Sequence, residues 1–562
     1  MRRRLDVLED SVASLALAAM ALLPILEILL RRVFGVGIPA SGPIVQHLTL
    51  WVGFLGAAIA AREGKLLALA SGTLIPDGPL RRGAETFAAA VAAFVATILT
   101  SGGIDLVLSE RGAGTSIGAD IPTWVAQLVL PIGFALIAIR QVRRAGGWTA
   151  RAVAGLGVVV ALILLQQPGL IEGRPAWPWL VLIAVAGVLG TPIFVILGGA
   201  AVLLFMCEGT TPAAVLVETY ALSVSPTLAA IPLFTLAGFL LAEGRASERL
   251  LRVFRAWFGW IPGGTAVVCA FLCSFFTVFT GGSGVTILAL GGVLFPALLK
   301  DGYRERFSLG LMTASGSLGL LLPPALPLSL YGVVAQIPIE DLFIGGIVPG
   351  FLLTAMIAAW GVREGIVSRT PRYPFVFSEG ASSLWAAKWE LMMPAVVLVA
   401  MFSGLATAVE AAALVAVYAV VVQAVVHRDL SLRRDGLRVF TECAVVVGGV
   451  LVILGVAVGF TNYLVGAQVP ARMLEWCQQH IGSRLMFLLV LNLFLLVVGW
   501  LMEIFAAIVV VVPLIVPLGA AFGIHPVHLG IIFIANLELG FLTPLVGINI
   551  FLASYRFKRP VL

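Results

Sequence analysis

The chain has 562 residues, of which 60% are hydrophobic and only 11% charged, against about 25% charged in a soluble domain. Mean hydropathy is +1.08, and the apolar runs are too continuous for the alternating strands of an outer-membrane barrel, so an all-α polytopic membrane protein is predicted. The net charge of +6 fits Lys and Arg gathered in cytoplasmic loops, and without a long soluble basic region it excludes a nucleic-acid partner.

Apolar segments near 12–30, 45–61, 84–108 and 125–139 predict a four-helix unit over residues 1–150. Basic clusters at 1–4, 62–65 and 140–151 then share one side, which puts the N-terminus in the cytoplasm. Arg31 and Arg32 fall on the other side, within snorkelling reach of headgroups. The opening MRRR runs into its apolar segment without a convincing cleavage site, so that segment reads as a retained anchor. A fifth apolar segment, 152–167, precedes the loop QQPGLIEGRPAWP. A unit of four spans needs one further crossing to start the next unit on the opposite side. Residues 151–175 therefore read as a tether helix and linker.

From residue 176 a larger unit begins. The run LVLIAVAGVLGTPIFVILGGAAVLLF is too long and too Gly-rich for one span. In RASERLLRVFRAWFGW, Leu250, Leu251, Phe254, Trp257 and Phe258 recur at helical spacing, which predicts an amphipathic helix in the membrane interface. Residues 279–350, which end at FIGGIVPG, are apolar yet interrupted by Gly-Gly-Ser-Gly, Ser-Gly-Ser and Pro-Pro. A lipid-facing helix gains nothing from such breaks, because freed backbone groups need protein or a wet cavity around them. Segments 263–279 and 285–299 read as a re-entrant hairpin. The run 307–334 reads as a helix broken twice, and a new helix is expected from 350 to 362.

The pattern recurs. ASGSLGLLLPP at 314–324 aligns without gaps to ANLELGFLTPL at 535–545. The same register pairs Pro296 with Pro517, Gly302 with Gly523, and Gly282 with Glu503. Shared Gly and Pro at one offset indicate an internal duplication, and paired interrupted segments in two halves point to a transport site. Glu503, in GWLMEIFAA, is an ionisable residue in an apolar segment and so a functional candidate; a carboxylate bonded to backbone N–H groups at the turn is the structural alternative. Glu538 reads similarly, or as a group facing an aqueous cavity. Glu410 opens a helix and suits its dipole. Ser315 and Ser317 have back-bonding to helix carbonyls as their structural alternative. Asn462 and Asn549 read as helix–helix hydrogen bonds. Cys269 and Cys273, one turn apart, read as small core residues, and the His525/His528 pair lacks the further ligands a metal needs.

GGSGVTILALGG, ASGSLGLLLPPALPLSLYGVV, DLFIGGIVPG, PLIVPLGAAFGIHPVHLGI and NLELGFLTPLVGINIFLAS resemble signatures of the tripartite ATP-independent periplasmic (TRAP) transporters. LRRVFG, WVGFLGAAIAAREGK and the four-span count resemble their small membrane subunit, so the whole chain resembles a fused small-plus-large (QM) version. The resemblance implies inverted repeats, two re-entrant hairpins and an elevator fold of ion-transporter type. It implies a monomeric QM unit in the bacterial inner membrane that is not an enzyme. A periplasmic substrate-binding protein would deliver an organic anion, a carboxylate or sugar acid, for sodium-coupled uptake. Na+ would be the coupling ion, with no organic cofactor, and membrane lipids would surround the unit. Carried over residue by residue, the substrate and ion region is Gly282, Ser283, Gly284, Ser315, Gly316, Ser317 and Gly319, with Glu503, Asn536, Gly540 and Thr543 in the second repeat. Na+ is expected near Ser283, Gly316, Glu503, Gly540 and Thr543; Glu stands at 503 where many relatives are expected to carry Asp. Competing readings are a binding-protein-independent secondary transporter and a membrane enzyme, the latter opposed by the lack of a His near Ser283 or Ser315 in sequence.

Overall fold

The computed structural model describes residues 2–68, 75–76, 78–118, 120–502, 504–543 and 548–557. It is helical throughout, and nine of its helices are long and apolar enough to cross a bilayer among the described residues. The chain forms two compact units: Met1–Pro232, Phe440–His480 and Val509–Leu518 make the first, and Leu233–Val439, Ile481–Ile508 and Gly519–Leu562 the second.

The first unit opens with α1 (Arg2–Phe34), α2 (Ser41–Glu63), α3 (Pro79–Ala113), α4 (Thr123–Gln127), α5 (Val129–Arg144) and α6 (Trp148–Gln166). The fourth expected span is thus split in two at Leu128. Helices α7 (Trp177–Val188), α8 (Ile193–Cys207) and α9 (Ala213–Ser223) follow. The long Gly-rich run is two helices, α7 and α8, as its length required.

Helices α10 (Ala230–Glu243), α11 (Ala246–Phe258), α12 (Gly264–Thr280), α13 (Ser283–Lys300), α14 (Glu305–Ser315), α15 (Leu326–Ala335) and α16 (Ile339–Val367) come next. Then follow α17 (Phe377–Ala386), α18 (Lys388–Phe402), α19 (Ala408–Val420), which runs into a π-helical turn at Val421–Val426, and α20 (Gly436–Gly466). The chain continues through α21 (Val469–His480), α22 (Arg484–Leu501), α23 (Ile504–Ala521), α24 (Pro526–Gly540) and α25 (Ile548–Phe557). Shifted by the offset of the sequence repeat, α12 to α15 fall on α22 to α25 within a few residues at each end. Gly302 and Gly523 both take positive φ, +85° and +69°, after the first helix pair of each repeat. The offset also carries amphipathic α11 onto α21.

The helix expected from 350 begins earlier, at Ile339, and α16 runs through FIGGIVPG. Its glycines serve packing instead. A Cβ at Gly346 would strike the Leu321 carbonyl, and one at Gly350 would lie 2.7 Å from Leu322. The helix keeps its own hydrogen bonds while another backbone passes close by.

In the first unit, Gly56 on α2 and Gly448 on α20 face each other so closely that a Cβ on either would meet the other helix's backbone. Small residues permit such approach where lipid supplies no hydrophobic drive. Asn462 donates to Glu218 at 2.7 Å, the helix–helix bond its type suggested. Glu410 closes a capping box with Thr407 at the start of α19, so its role is the helix terminus.

Amphipathic α11 is anchored in the second unit by both faces. Leu250 and Val253 are buried, and Phe254 and Phe258 stack on Phe271 of α12. On the polar side Arg249 binds the fully buried Glu390 at 2.6 Å and Asp429 at 2.7 Å. Burial opposes ionisation of Asp429, but the bonds from Arg249 and the Arg245 backbone N–H outweigh it and hold the carboxyl below its ordinary value of 3.8. A carboxyl lowered by folding contributes stability that is present above its unfolded value and lost as pH falls through the folded one. The melting temperature should therefore fall more steeply below about pH 4 in the wild type than in Asp429→Asn. Parallel curves across that range would show that the pair contributes nothing.

Candidate functional site

The first break is two residues long. Helix α12 stops at Thr280, Gly281 adopts φ +63°, Gly282 is extended, and α13 starts at Ser283. Leu326 of α15 leaves no room for a side chain on Gly281, so both the conformation and the space require glycine. Ser283 and Gly284, expected in the turn, form the first turn of α13 instead.

The second break is longer. After α14 ends at Ser315, the backbone descends through successive three-residue turns to Ala325, with Leu320 N–H donating to Ser317 and Leu322 N–H to Gly319. The stretch is buried from Ser315 to Leu330. Freed carbonyls at such depth need partners, and the hairpin supplies one. Thr277 Oγ1 lies 2.8 Å from the Cys273 carbonyl, 2.8 Å from the Thr286 hydroxyl and 2.9 Å from the Gly316 carbonyl. Thr280 Oγ1 stands 3.1 Å from Thr286 Oγ1. All three threonines are buried. They tie both arms of the hairpin to the unwound stretch.

Two glycines make that contact possible. A Cβ on Gly316 would lie 3.1 Å from the Ser283 carbonyl and closer still to Ile287. One on Gly319 would overlap the Ser274 carbonyl and sit 2.7 Å from the Val278 nitrogen. Gly282, Ser283, Gly284, Gly316 and Gly319 are thus drawn into one neighbourhood. Ser315 Oγ is fully buried with no hydrogen-bond partner among the described residues, whereas Ser317 Oγ back-bonds to Ala314 at 3.2 Å.

One helix of the second repeat, α25, joins this neighbourhood. Leu552 of α25 would meet a side chain on Gly284. Asn549 of α25 donates to the Thr313 carbonyl at 3.2 Å, as a helix–helix bond, and its Oδ1 is buried without a partner among the described residues. Asn536 and Gly540 of the second repeat face α22. Asn536 donates to Asn492 at 2.7 Å and to the Ile532 carbonyl at 2.8 Å, so its amide group is held structurally. Gly540 packs on Gly499, where a Cβ would come within 2.6 Å of the Gly499 Cα. Thr543 bonds back to the Gly540 carbonyl at 2.5 Å. Glu538 is buried, and its Oε1 has no partner among the described residues. Glu503 lies outside the described residues.

The reading of single residues passed over Thr277, Thr280 and Thr286. The available signal was their spacing: 277 and 280 share a helix face, and 286 follows one turn beyond the break. Together with the Gly282 and Gly316 carbonyls they gather uncharged oxygens, the donor type that suits a hard cation. Thr277→Val keeps the side-chain shape and removes the hydroxyl, leaving a buried carbonyl short of a donor. We expect a loss of about 1–3 kcal/mol of stability, read as a lowered melting temperature, together with reduced transport. An unchanged melting temperature would mean that the threonine linkage is incidental.

Paired helix breaks inside an apolar helical bundle define a polytopic membrane permease. The family model for the tripartite ATP-independent periplasmic transporter, DctM component, matches residues 180–558, and that for the DctQ component matches residues 20–151. The chain belongs to the TRAP transporter family and carries both membrane components fused, which sets a membrane enzyme aside. It is 34% identical over 457 residues to the isethionate TRAP transporter permease protein DctMQ of Oleidesulfovibrio alaskensis, covering 78% of this chain and 70% of that protein. It is 33% identical over 358 residues to the C4-dicarboxylate TRAP transporter large permease protein DctM of Pseudomonas aeruginosa, covering 64% and 83%. It is 31% identical over 334 residues to the sialic acid TRAP transporter large permease protein SiaM of Vibrio cholerae, covering 58% and 77%. A solved structure of the Alcanivorax borkumensis YdaH transporter aligns with TM-score 0.43 at 16% identity, over 59% of this chain and 79% of that one.

Proposed function

We propose that this permease takes up an organic anion delivered by a periplasmic substrate-binding protein, in symport with sodium, across the bacterial inner membrane. Relatives include TRAP permeases for isethionate, C4-dicarboxylates and sialic acid, all anions, and for ectoine, a zwitterion that carries a carboxylate. That supports the solute class. The observation that carries the coupling is the meeting of hairpin and unwound stretch at Thr277, Thr286 and Gly316, where oxygens without formal charge crowd a buried break. Ser283 and Gly316 are assigned to the ion on this basis, and Glu503, Gly540 and Thr543 to the second repeat's counterpart. The solute carboxylate is met by hydroxyls and by the amides of half-helix N-termini.

In this reading residues 1–150 and the tether 151–175 belong to a scaffold with a cytoplasmic N-terminus. The hairpin and broken helices of 176–562 move against it as an elevator, in a single QM unit. Uptake into proteoliposomes tests the proposal. A dicarboxylate should accumulate only with a matching binding protein outside and an inward sodium gradient. Accumulation without the binding protein would favour a secondary transporter that works alone. Accumulation indifferent to sodium would remove the coupling.

A further inference from the structure

We propose that the end of α5 and the start of α6 form a binding site for one anionic phospholipid on the small membrane unit. Five arginines and two carboxylates, Asp6 and Glu9, line a cavity of about 630 Å³ whose remaining walls are apolar side chains of α1, α2 and α5. The carboxylates are already matched. Arg140 binds Glu9 at 2.7 Å, and Arg62 binds Asp10 at 2.7 Å and stands 3.7 Å from Asp6. Arg143, Arg144 and Arg151 have no carboxylate partner among the described residues. Arg144 donates only to the Ala61 carbonyl at 3.2 Å and Arg151 to the Ala145 carbonyl at 3.3 Å. Five arginines against Asp6, Glu9 and Asp10 leave a net positive charge around one cavity, and three of the guanidinium groups have no carboxylate beside them among the described residues.

A second cavity shares Arg143. It is an apolar groove of about 520 Å³ between α3, α5 and α6, lined by Ile139, Val142, Val158 and Val159 below that arginine. The level of the arginines is fixed by Trp148, which is 84% exposed at the start of α6, as an interfacial tryptophan should be. Beyond it α6 exposes Val153, Leu156 and Val159 on a helix that reads as a membrane span. A basic pocket at the interface, continuous with an apolar groove along a span, matches a phospholipid: phosphate oxygens take the guanidinium forks, and an acyl chain fills the groove. Free phosphate would use the arginines but not the groove. Zwitterionic lipid would use the groove but leave net positive charge beside its amine.

Native mass spectrometry of the purified full chain tests this, with added phosphatidylglycerol, phosphatidylcholine or inorganic phosphate as probes. The wild type should retain phosphatidylglycerol in preference to phosphatidylcholine and gain no melting-temperature rise from phosphate. Losing two interfacial arginines in Arg143→Gln/Arg151→Gln should weaken that retention about 30-fold. Val158→Trp, which fills the groove and spares the arginines, should weaken it too and guards against a misfolded double variant. Equal retention of both lipids, retention unchanged in either variant, or a rise with phosphate matching that with phosphatidylglycerol would overturn the site.

Discussion

Gly319→Val should abolish uptake and lower the melting temperature, the largest single effect expected in the transport region. The reason is geometric. A Cβ at this position meets the Ser274 carbonyl, the Val278 nitrogen and Thr277 Cβ, the last at 2.8 Å. Two of these are backbone atoms of α12 and cannot swing aside. The unwound stretch must lift off the hairpin or α12 must bend, and overpacking of this kind costs about 1–3 kcal/mol. Either movement pulls the Gly316 carbonyl from Thr277 and spoils the convergence on which the site depends. Gly319→Ala should fall between valine and wild type. Gly310, on α14 five residues before Ser315, is the control, because a Cβ there meets nothing within 4 Å. Gly310→Ala should retain full uptake and a slightly higher melting temperature. Full uptake by Gly319→Val would show that the close approach is dispensable.

Arg249→Ala should be the most destabilising change outside that region. It leaves Glu390 with no exposure and one oxygen already unpartnered. The remaining contact, His427 at 3.3 Å, supplies charge only when protonated. Removing one member of a buried ion pair costs about 3–5 kcal/mol because the survivor keeps its desolvation penalty. Gln423 and Asp429 also lose a donor. The double change Arg249→Met/Glu390→Leu should recover most of the loss, since it strands no charge. Arg252→Ala, on the exposed face of the same helix, should change stability by less than about 0.5 kcal/mol. Melting curves of the three variants test this, and equal losses for Arg249→Ala and Arg252→Ala would contradict it.

What could be read from the sequence was what glycine and proline punctuate. The Gly281–Gly282 turn and the unwinding after Ser315 follow from backbone rules acting within a few residues. The helix expected from 350 to 362 starts earlier, at Ile339, and the glycines of FIGGIVPG inside it mark a close passage of Leu321 and Leu322. The threonine linkage was not legible for a different reason. A threonine in an apolar helix ordinarily bonds its own i−4 carbonyl, as Thr277 does to Cys273, and only closure of the hairpin shows its second use. Asn536 likewise reads as a ligand until Asn492, on another helix, is placed beside it. Arg249 looks like the polar face of an interfacial helix until Glu390 and Asp429 arrive from far along the chain.

As proposed, the hairpin tip and the unwound stretch gather oxygens that would hold a sodium ion. Thermal melting of the purified chain in matched NaCl and KCl addresses it most directly, since a ligand bound only by the folded state raises the melting temperature with its concentration. The wild type should be stabilised by sodium over potassium, and Thr286→Val and Gly316→Val should lose that difference. Equal stabilisation by both salts, or a sodium response untouched by either substitution, would contradict the account.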